Sequence, residues 1–241
     1  MQAAVKLSDA EMIAKEYKNY VYTISHDLSA PIRSIVGFSR LLEDELPEGL
    51  TEDAKLYLNM ILQSGEKMQR MMSGLLAFSR LNTTAQNFSA IDMNALLAEC
   101  LVDFQPVIAA RQAQIEVSPL PNITGDRNQI LQLFTQLIDN AIKFLPPERV
   151  PQVHISALPS EKDSPHFVIE DNGIGIEEKF HDRIFEIFRR LHADEEYPGV
   201  GMGLALAKKI VARHGGDIWV ESSPLGGSAF YFTLTPLQSS D

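Results

Sequence analysis

Apolar residues recur along the first part of the chain at steps of three and four: Ile13, Tyr17, Val21, Ile24, Leu28, Ile35, Phe38 and Leu42, with one doubled gap around Pro31. This is the period of a helix in a bundle or coiled coil, and it predicts a helix over about residues 9–45. Pro47 and Gly49, in residues 46–50, break the pattern because neither continues a helix cheaply. Thr51 followed by Glu52 and Asp53 then reads as an N-cap with acids complementing the helix dipole. A second stripe at Ala54, Leu58, Ile61, Gly65, Met68, Met72 and Leu75 predicts the return helix. Two helices of roughly 30 residues make a hairpin about 45 Å long, at about 1.5 Å per residue. A lone hairpin encloses no core, so two copies are expected to pair into a four-helix bundle.

The polar run over residues 82–89 reads as a linker and divides the chain into residues 1–84 and 85–241. Beyond it the pattern predicts helices near residues 92–112, 127–144 and 203–214. Strands are expected near residues 115–117, 153–158, 167–170, 217–222 and 228–235. That order predicts an α/β sandwich with helices on one face of a mixed sheet, and an α+β protein as a whole.

Composition narrows the setting. With 45% hydrophobic residues in 241, wholesale disorder is excluded. One cysteine excludes an intramolecular disulfide and fits a reducing compartment. No stretch approaches the roughly 20 apolar residues of a bilayer span, and the N-terminus has no signal-peptide pattern. A net charge of −11 argues against a nucleic-acid partner. The expectation is an acidic cytoplasmic protein with no membrane insertion.

Three segments carry candidate chemistry. Asp171, Gly173 and Gly175 follow a predicted strand; two glycines let backbone approach a ligand while the carboxylate accepts a hydrogen bond, though a tight Asx turn has the same signature. Gly199, Gly201 and Gly203 precede a helical pattern, where free backbone amides suit a phosphate. This cluster is neither a Walker A loop nor a Rossmann fingerprint. Asn140 and Lys143 share a helix face with Gln136, so an amide oxygen and an ammonium could hold a divalent cation and a phosphate together; a solvated polar edge is the plain alternative.

These segments, in this order and with Phe185-Glu186-Ile187-Phe188-Arg189-Arg190-Leu191 between them, resemble the N, G1, F and G2 boxes of sensor histidine kinases. Ser25-His26-Asp27-Leu28-Ser29-Ala30-Pro31 looks like that family's H box. The run from His26 to Arg33 and the stretch Arg213-His214-Gly215-Gly216-Asp217 look like the phytochrome-type branch. The resemblance implies a dimeric helical bundle followed by an ATP-binding domain of the GHKL or Bergerat type. It implies ATP and Mg²⁺ as cofactors, His26 as phosphoacceptor and Asp27 as the acid that orients its ring. Asn140 would coordinate Mg²⁺ and Lys143 a phosphate. Asp171 would accept from the adenine amino group, with Gly173 and Gly175 making room for the base. Gly201 and Gly203 would shape the phosphate end. Phe144 would pack on adenine or simply belong to the core, and Arg190 would meet a phosphate or a surface acid. Phe185 and Phe188 would anchor the lid, read as compact and acidic over residues 191–198. Implied partners are a second copy, the receiver domain of a response regulator, and a sensor domain upstream or on a separate chain.

Apart from the resemblance, His26 lies two residues from both Ile24 and Leu28, about 200° round the helix, so it is expected to face solvent. Pro31 removes a backbone donor and is expected to kink the helix. Three departures from the family pattern stand out: Gln136 where the N box usually opens with Asn, Val200 for the usual Thr, and Ala30 where bifunctional members carry Thr or Asn. Ala30 offers no hydrogen bond, so weak phosphatase activity is expected. Gln136 and Val200 leave a degenerate, nucleotide-binding scaffold as the alternative. An ATPase like the gyrase or chaperone relatives fits poorly with the H-box hairpin.

Overall fold

The computed structural model describes residues 2–45, 49–81, 88–158, 166–192 and 196–234, with side chains in the first helix described from Thr23 on, His26 apart. The expectations for the turn at residues 46–48, for residues 82–87 of the linker, for residues 193–195 of the lid and for the direction of the His26 side chain fall outside them. The chain divides into two compact units, Met1–Thr84 and Ala85–Asp241.

The first unit is a hairpin of α1 (Gln2–Glu45) and α2 (Glu52–Arg80). At 44 residues, α1 exceeds the expected length, because nothing before Asp9 interrupts a helix. Thr51 caps α2 as expected, its hydroxyl accepting from Ala54 N at 3.2 Å. The seam between the helices is not the stripe read from the sequence. It runs one residue further on, about 100° round the helix, through Ser25, Ile32, Val36 and Ser39. Val36 packs with Leu58, Leu62 and Leu50, and a Cβ at Gly65 would overlap Val36 Cγ2. The two buried serines hid this seam from a reading based on apolar spacing. Ile24, Leu28, Ile35, Phe38 and Leu42 remain 38–68% exposed. Helix α1 runs unbroken through Pro31, where the Asp27 carbonyl loses its i+4 donor. One turn earlier, Ser29 Oγ donates to Ser25 O at 2.7 Å.

The second unit opens with β1 (Phe88–Ile91), part of which was expected to be linker. It pairs antiparallel with β3 (Ile123–Asp126), a strand the sequence pattern did not reveal. Between them lie α3 (Met93–Arg111) and β2 (Gln114–Val117). Then follow α4 (Arg127–Lys143), β4 (Gln152–Leu158), β5 (His166–Asp171), α5 (Gly203–Arg213), β6 (Ile218–Ser222) and β7 (Ser228–Thr233). The main sheet has the order β2-β4-β5-β7-β6, parallel only between β2 and β4.

Helix α4 buries Ile130, Leu133, Phe134, Leu137, Ile138 and Ala141. Phe134 meets Phe167 of β5 and Phe232 of β7 edge-on at 6.5 and 5.7 Å. Each such phenyl contributes roughly 2–3 kcal/mol on burial. This packing fixes α4 beside the end of β5, which carries Asp171. At the other end of α4, Asp126 caps Asn128 N and Gln129 N, and its own amide donates to Nε2 of the buried His214 at 3.0 Å. His214 Nδ1 bonds Ile210 O at 2.8 Å, so the ring holds the ends of α4 and α5 together. Among the described residues α3 is long and apolar enough to cross a membrane, with mean hydropathy 1.3, contrary to the expectation that no segment comes close. Met93, Leu96, Leu97, Cys100 and Phe104 of that helix are buried in the unit's core.

Candidate functional site

Strand β5 ends in Asp171, 6% exposed. Its Oδ1 accepts from Gly173 N at 2.8 Å and Ser228 N at 3.0 Å. Burial pushes the carboxyl up to about 6, against the pull of those two amides. Among the described residues Oδ2 takes no protein donor, which leaves one acceptor for a ligand. The turn is held from behind: Arg149 Nη1 donates to Asn172 O at 2.7 Å and Gly173 O at 3.1 Å. Asn172 exchanges side-chain bonds with Gln152 N and Val150 O. Ile174 N donates to Phe144 O at 3.0 Å, tying the turn to the end of α4.

Glycine is required here for distinct reasons. A Cβ on Gly173 would overlap Phe144 O. One on Gly227, in the β6–β7 turn, would overlap Asp171 Oδ1 and Gly173 N. Gly227, Ser228 and Arg149 were not singled out from the sequence. The available signal was the Gly226-Gly227 pair between two predicted strands; Arg149 had none. A cavity of about 470 Å³ runs along the turn, lined by Ile174, Gly175, Phe180, His192, Ser222 and Gly227. Its size suits a small ligand. Asp171 is not in its lining, but Gly227 touches both.

The polar face of α4 turns toward the second glycine cluster. Gln136 Oε1 lies 2.6 Å from where a Cβ on Gly203 would stand, and Lys143 Nζ 2.7 Å from the corresponding point on Gly199. Asn140, between them on the helix, is half-buried. Helix α5 starts at Gly203 without a side-chain cap from Met202, so its first amides are open to an anion. Gly201 has φ +70°, and a Cβ there would collide with Arg189 O at 2.6 Å. Phe188, also in the left-handed region at φ +62°, donates its amide to Gly201 O at 2.9 Å.

The aromatic residues near the site differ in part from expectation. Phe144 is half-buried; its ring stands 5.1 Å from Tyr197 and 6.4 Å from His192, with Lys143 Nζ 4.8 Å from its centroid. Arg190 Nη2 donates to Tyr197 O at 3.0 Å, a backbone contact not anticipated. Phe185 is buried beside Lys208 of α5. Phe188 was expected to anchor hydrophobically, yet it is 38% exposed and holds the loop through its backbone. Asp171, Gly173, Gly175 and Phe144 thus gather at one end of α4. Gln136, Asn140, Lys143, Gly201 and Gly203 gather along its polar face. His26 and Asp27 belong to the other unit, where Asp27 is exposed.

Comparison with known proteins gives two matching families. Residues 18–84 match the His Kinase A (phospho-acceptor) domain. Residues 125–238 match the histidine kinase-, DNA gyrase B- and HSP90-like ATPase family. The chain is 41% identical over 226 residues to cyanobacterial phytochrome A of Nostoc sp., covering 94% of this chain and 29% of that protein. It is 36% identical over 219 residues to the phytochrome-like protein Cph1 of Synechocystis sp., covering 91% and 29%. The chain therefore spans under a third of the length of these curated relatives. Full-length ShkA in complex with AMPPNP superposes with a TM-score of 0.66 at 26% identity, covering 90% of this chain and 45% of that one. The chain belongs to the sensor histidine kinases, as a transmitter module of their phytochrome-type branch.

Proposed function

We propose that the protein is an ATP-dependent protein-histidine kinase whose residues 85–241 bind ATP and whose residues 1–84 dimerise and carry the phosphoacceptor, His26. The observation that most supports ATP is Asp171, a buried carboxylate with one oxygen held by two backbone amides and the other left to accept a hydrogen bond from the adenine amino group. Guanine presents a carbonyl oxygen at that position, so the same acceptor would discriminate against it.

The phosphates would run along α4 toward the open amides at the start of α5, with Lys143 near a phosphate oxygen and Gly201 and Gly203 leaving room for them. Gln136 would supply a second amide on this face, and Arg190 would reach a phosphate once its backbone partner releases it. The donors fit a magnesium ion that arrives with its phosphates. Among the described residues no cluster of three His, Cys, Asp or Glu could hold a metal ion by itself, and Asn140 offers one hard oxygen ligand. When bound, the ion would neutralise charge on the phosphates. Asp27 would hold the proton on one imidazole nitrogen of His26, and the other nitrogen would attack the γ-phosphorus. The N–P bond forms as the bond to the bridging oxygen breaks, and ADP leaves with its electron pair. The phosphoryl group would then pass to an aspartate of a response regulator's receiver domain. Input would come from a sensor region, as phytochrome relatives suggest.

Labelling with γ-labelled ATP and magnesium tests this. Acid-labile label is expected on the parent chain and none on His26→Ala; no label on the parent, or equal label on the variant, ends the proposal. Dimerisation rests on the exposed stripe Ile24, Leu28, Ile35, Phe38 and Leu42, a heptad-like spacing completed by Pro31. Leu28→Glu with Ile35→Glu is expected to convert the dimer to monomers in sedimentation velocity; an unchanged dimer would place the interface elsewhere.

A further inference from the structure

Strand register separates the two faces of the five-stranded sheet. Val153, Ile155, Phe167, Ile169, Phe230 and Phe232 form the buried side. The other side alternates with them and has an unusual composition. All five strands together contain no lysine or arginine. The outward positions include Glu116, Glu170 and Glu221, with Asp217 exposed at the head of β6. Between these acids lies an aromatic group. Trp219 and Tyr231 stack across β6 and β7 at 5.5 Å and 9°, and His166 meets Trp219 edge-on at 5.7 Å. Trp219 Nε1 donates to Glu221 Oε1 at 3.1 Å, which holds that carboxylate beside the rings. Burial first, then the negative charge of Glu221 and Glu170, raises the Tyr231 phenol.

We propose that this acidic face docks a basic polypeptide segment of a partner protein, with its cationic side chains between the acids at the two sheet edges and over the half-buried Trp219–Tyr231 pair. His154, in register with Glu116 and Glu170, sets its Nδ1 3.0 Å from Glu170 Oε2. Among the described residues the strands place no lysine or arginine beside Glu116, Glu221 or Asp217, and these acids repel phosphates and hence nucleic acid. A guanidinium fits both features, since it pairs with carboxylates and lies on aromatic faces. Five strands at about 4.8 Å spacing make the face about 19 Å wide, which matches roughly six residues of extended chain rather than a small molecule. The site is separate from the nucleotide residues, so the inference stands whether or not the kinase reading does.

Trp219 is the only tryptophan in the chain, so its emission reports on this patch directly. The probe is a short peptide alternating arginine with serine, titrated into the full chain, with a glutamate–serine peptide as counterpart. A saturable change in Trp219 emission is expected with the arginine peptide alone, weakening at least about tenfold between low and high salt. Glu116→Lys with Asp217→Lys, at opposite sheet edges and without recorded contact to Trp219, is expected to weaken binding about tenfold or more. Asp103→Lys with Glu148→Lys makes the same change in net charge at exposed positions outside the sheet, and is expected to leave binding within about twofold. Thermal melts verify that both pairs fold. No saturable change, equal binding of the glutamate peptide, insensitivity to salt, or equal weakening by both pairs overturns the proposal.

Discussion

Asp171→Asn is expected to make the ATP-binding unit more stable at pH 8 while destroying its affinity for ATP. The side chain is 6% exposed, and burial raises its carboxyl from the ordinary 3.8 to about 6. At a pH above 6 the folded chain must therefore hold an anion that the unfolded chain holds more easily. At 1.36 kcal/mol per pKa unit the penalty is about 3 kcal/mol. An asparagine keeps Oδ1 to accept from Gly173 N and Ser228 N and carries no charge. The sign is that of a raised acid: the penalty is full above about 6 and vanishes below 3.8, where both states are protonated. The thermal midpoint of the variant should exceed that of the parent by up to roughly 6–12 °C at pH 8, at about 2–4 °C per kcal/mol. The difference should close at pH 3.5. The second oxygen becomes an NH₂ that faces the adenine amino group donor to donor, so affinity should fall about a hundredfold or more. Melting curves at the two pH values and nucleotide titration check both halves. Equal midpoints at pH 8, or unchanged ATP affinity, would refute the assigned role of this carboxylate.

Two adjacent glycines give the second large effect, and they should fail differently. Gly227→Ala inserts a methyl group into the Asp171 carboxylate and the Gly173 amide, both held by backbone. Strand ends must move, so a loss of about 3 kcal/mol or more is expected, at the upper end of overpacking costs. The movement separates Asp171 from its two donors, so nucleotide binding should be lost as well. At Gly226 a Cβ meets nothing within 4 Å, but φ is +96°. Gly226→Ala should therefore cost only about 1–2 kcal/mol of backbone strain and leave nucleotide affinity near that of the parent. Chemical denaturation and nucleotide titration of the two variants make the comparison. Identical losses for both would mean that the contact at Gly227 plays no special part.

The residues that were legible in the sequence are those whose chemistry is local. Thr51 announces α2 because a cap acts within three residues, and α4 is visible from its own apolar stripe. Strands β1 and β3 were not visible. Each is only four residues long with no clean alternation, and each exists because the other pairs with it from across α3 and β2. The hairpin shows the same limit from the other side. Its apolar stripe was correctly seen, but which of two neighbouring faces meets α2 was decided by Gly65 and by serines that carry no hydropathy signal. At the candidate site, Asp171, Gly173 and Asn140 belong to contiguous motifs. Ser228 and Arg149 act through backbone atoms of distant residues, and their types hold no trace of that use.

His214 and Asp171 sit at opposite ends of the site's scaffold and respond to acid in opposite senses. Burial lowers the His214 imidazole, whose Nε2 accepts from Asp126 N. On acidification below 6.5 the unfolded chain takes up this proton before the folded one, and stability falls. Between about 6 and 3.8 the folded chain takes up the Asp171 proton first, and stability rises. Where the two uptakes coincide, their slopes subtract. The two groups thereby exchange protons in opposite directions when the unit unfolds in mild acid, and each offsets part of the other's effect on stability. Substituting either residue would expose the slope of the other.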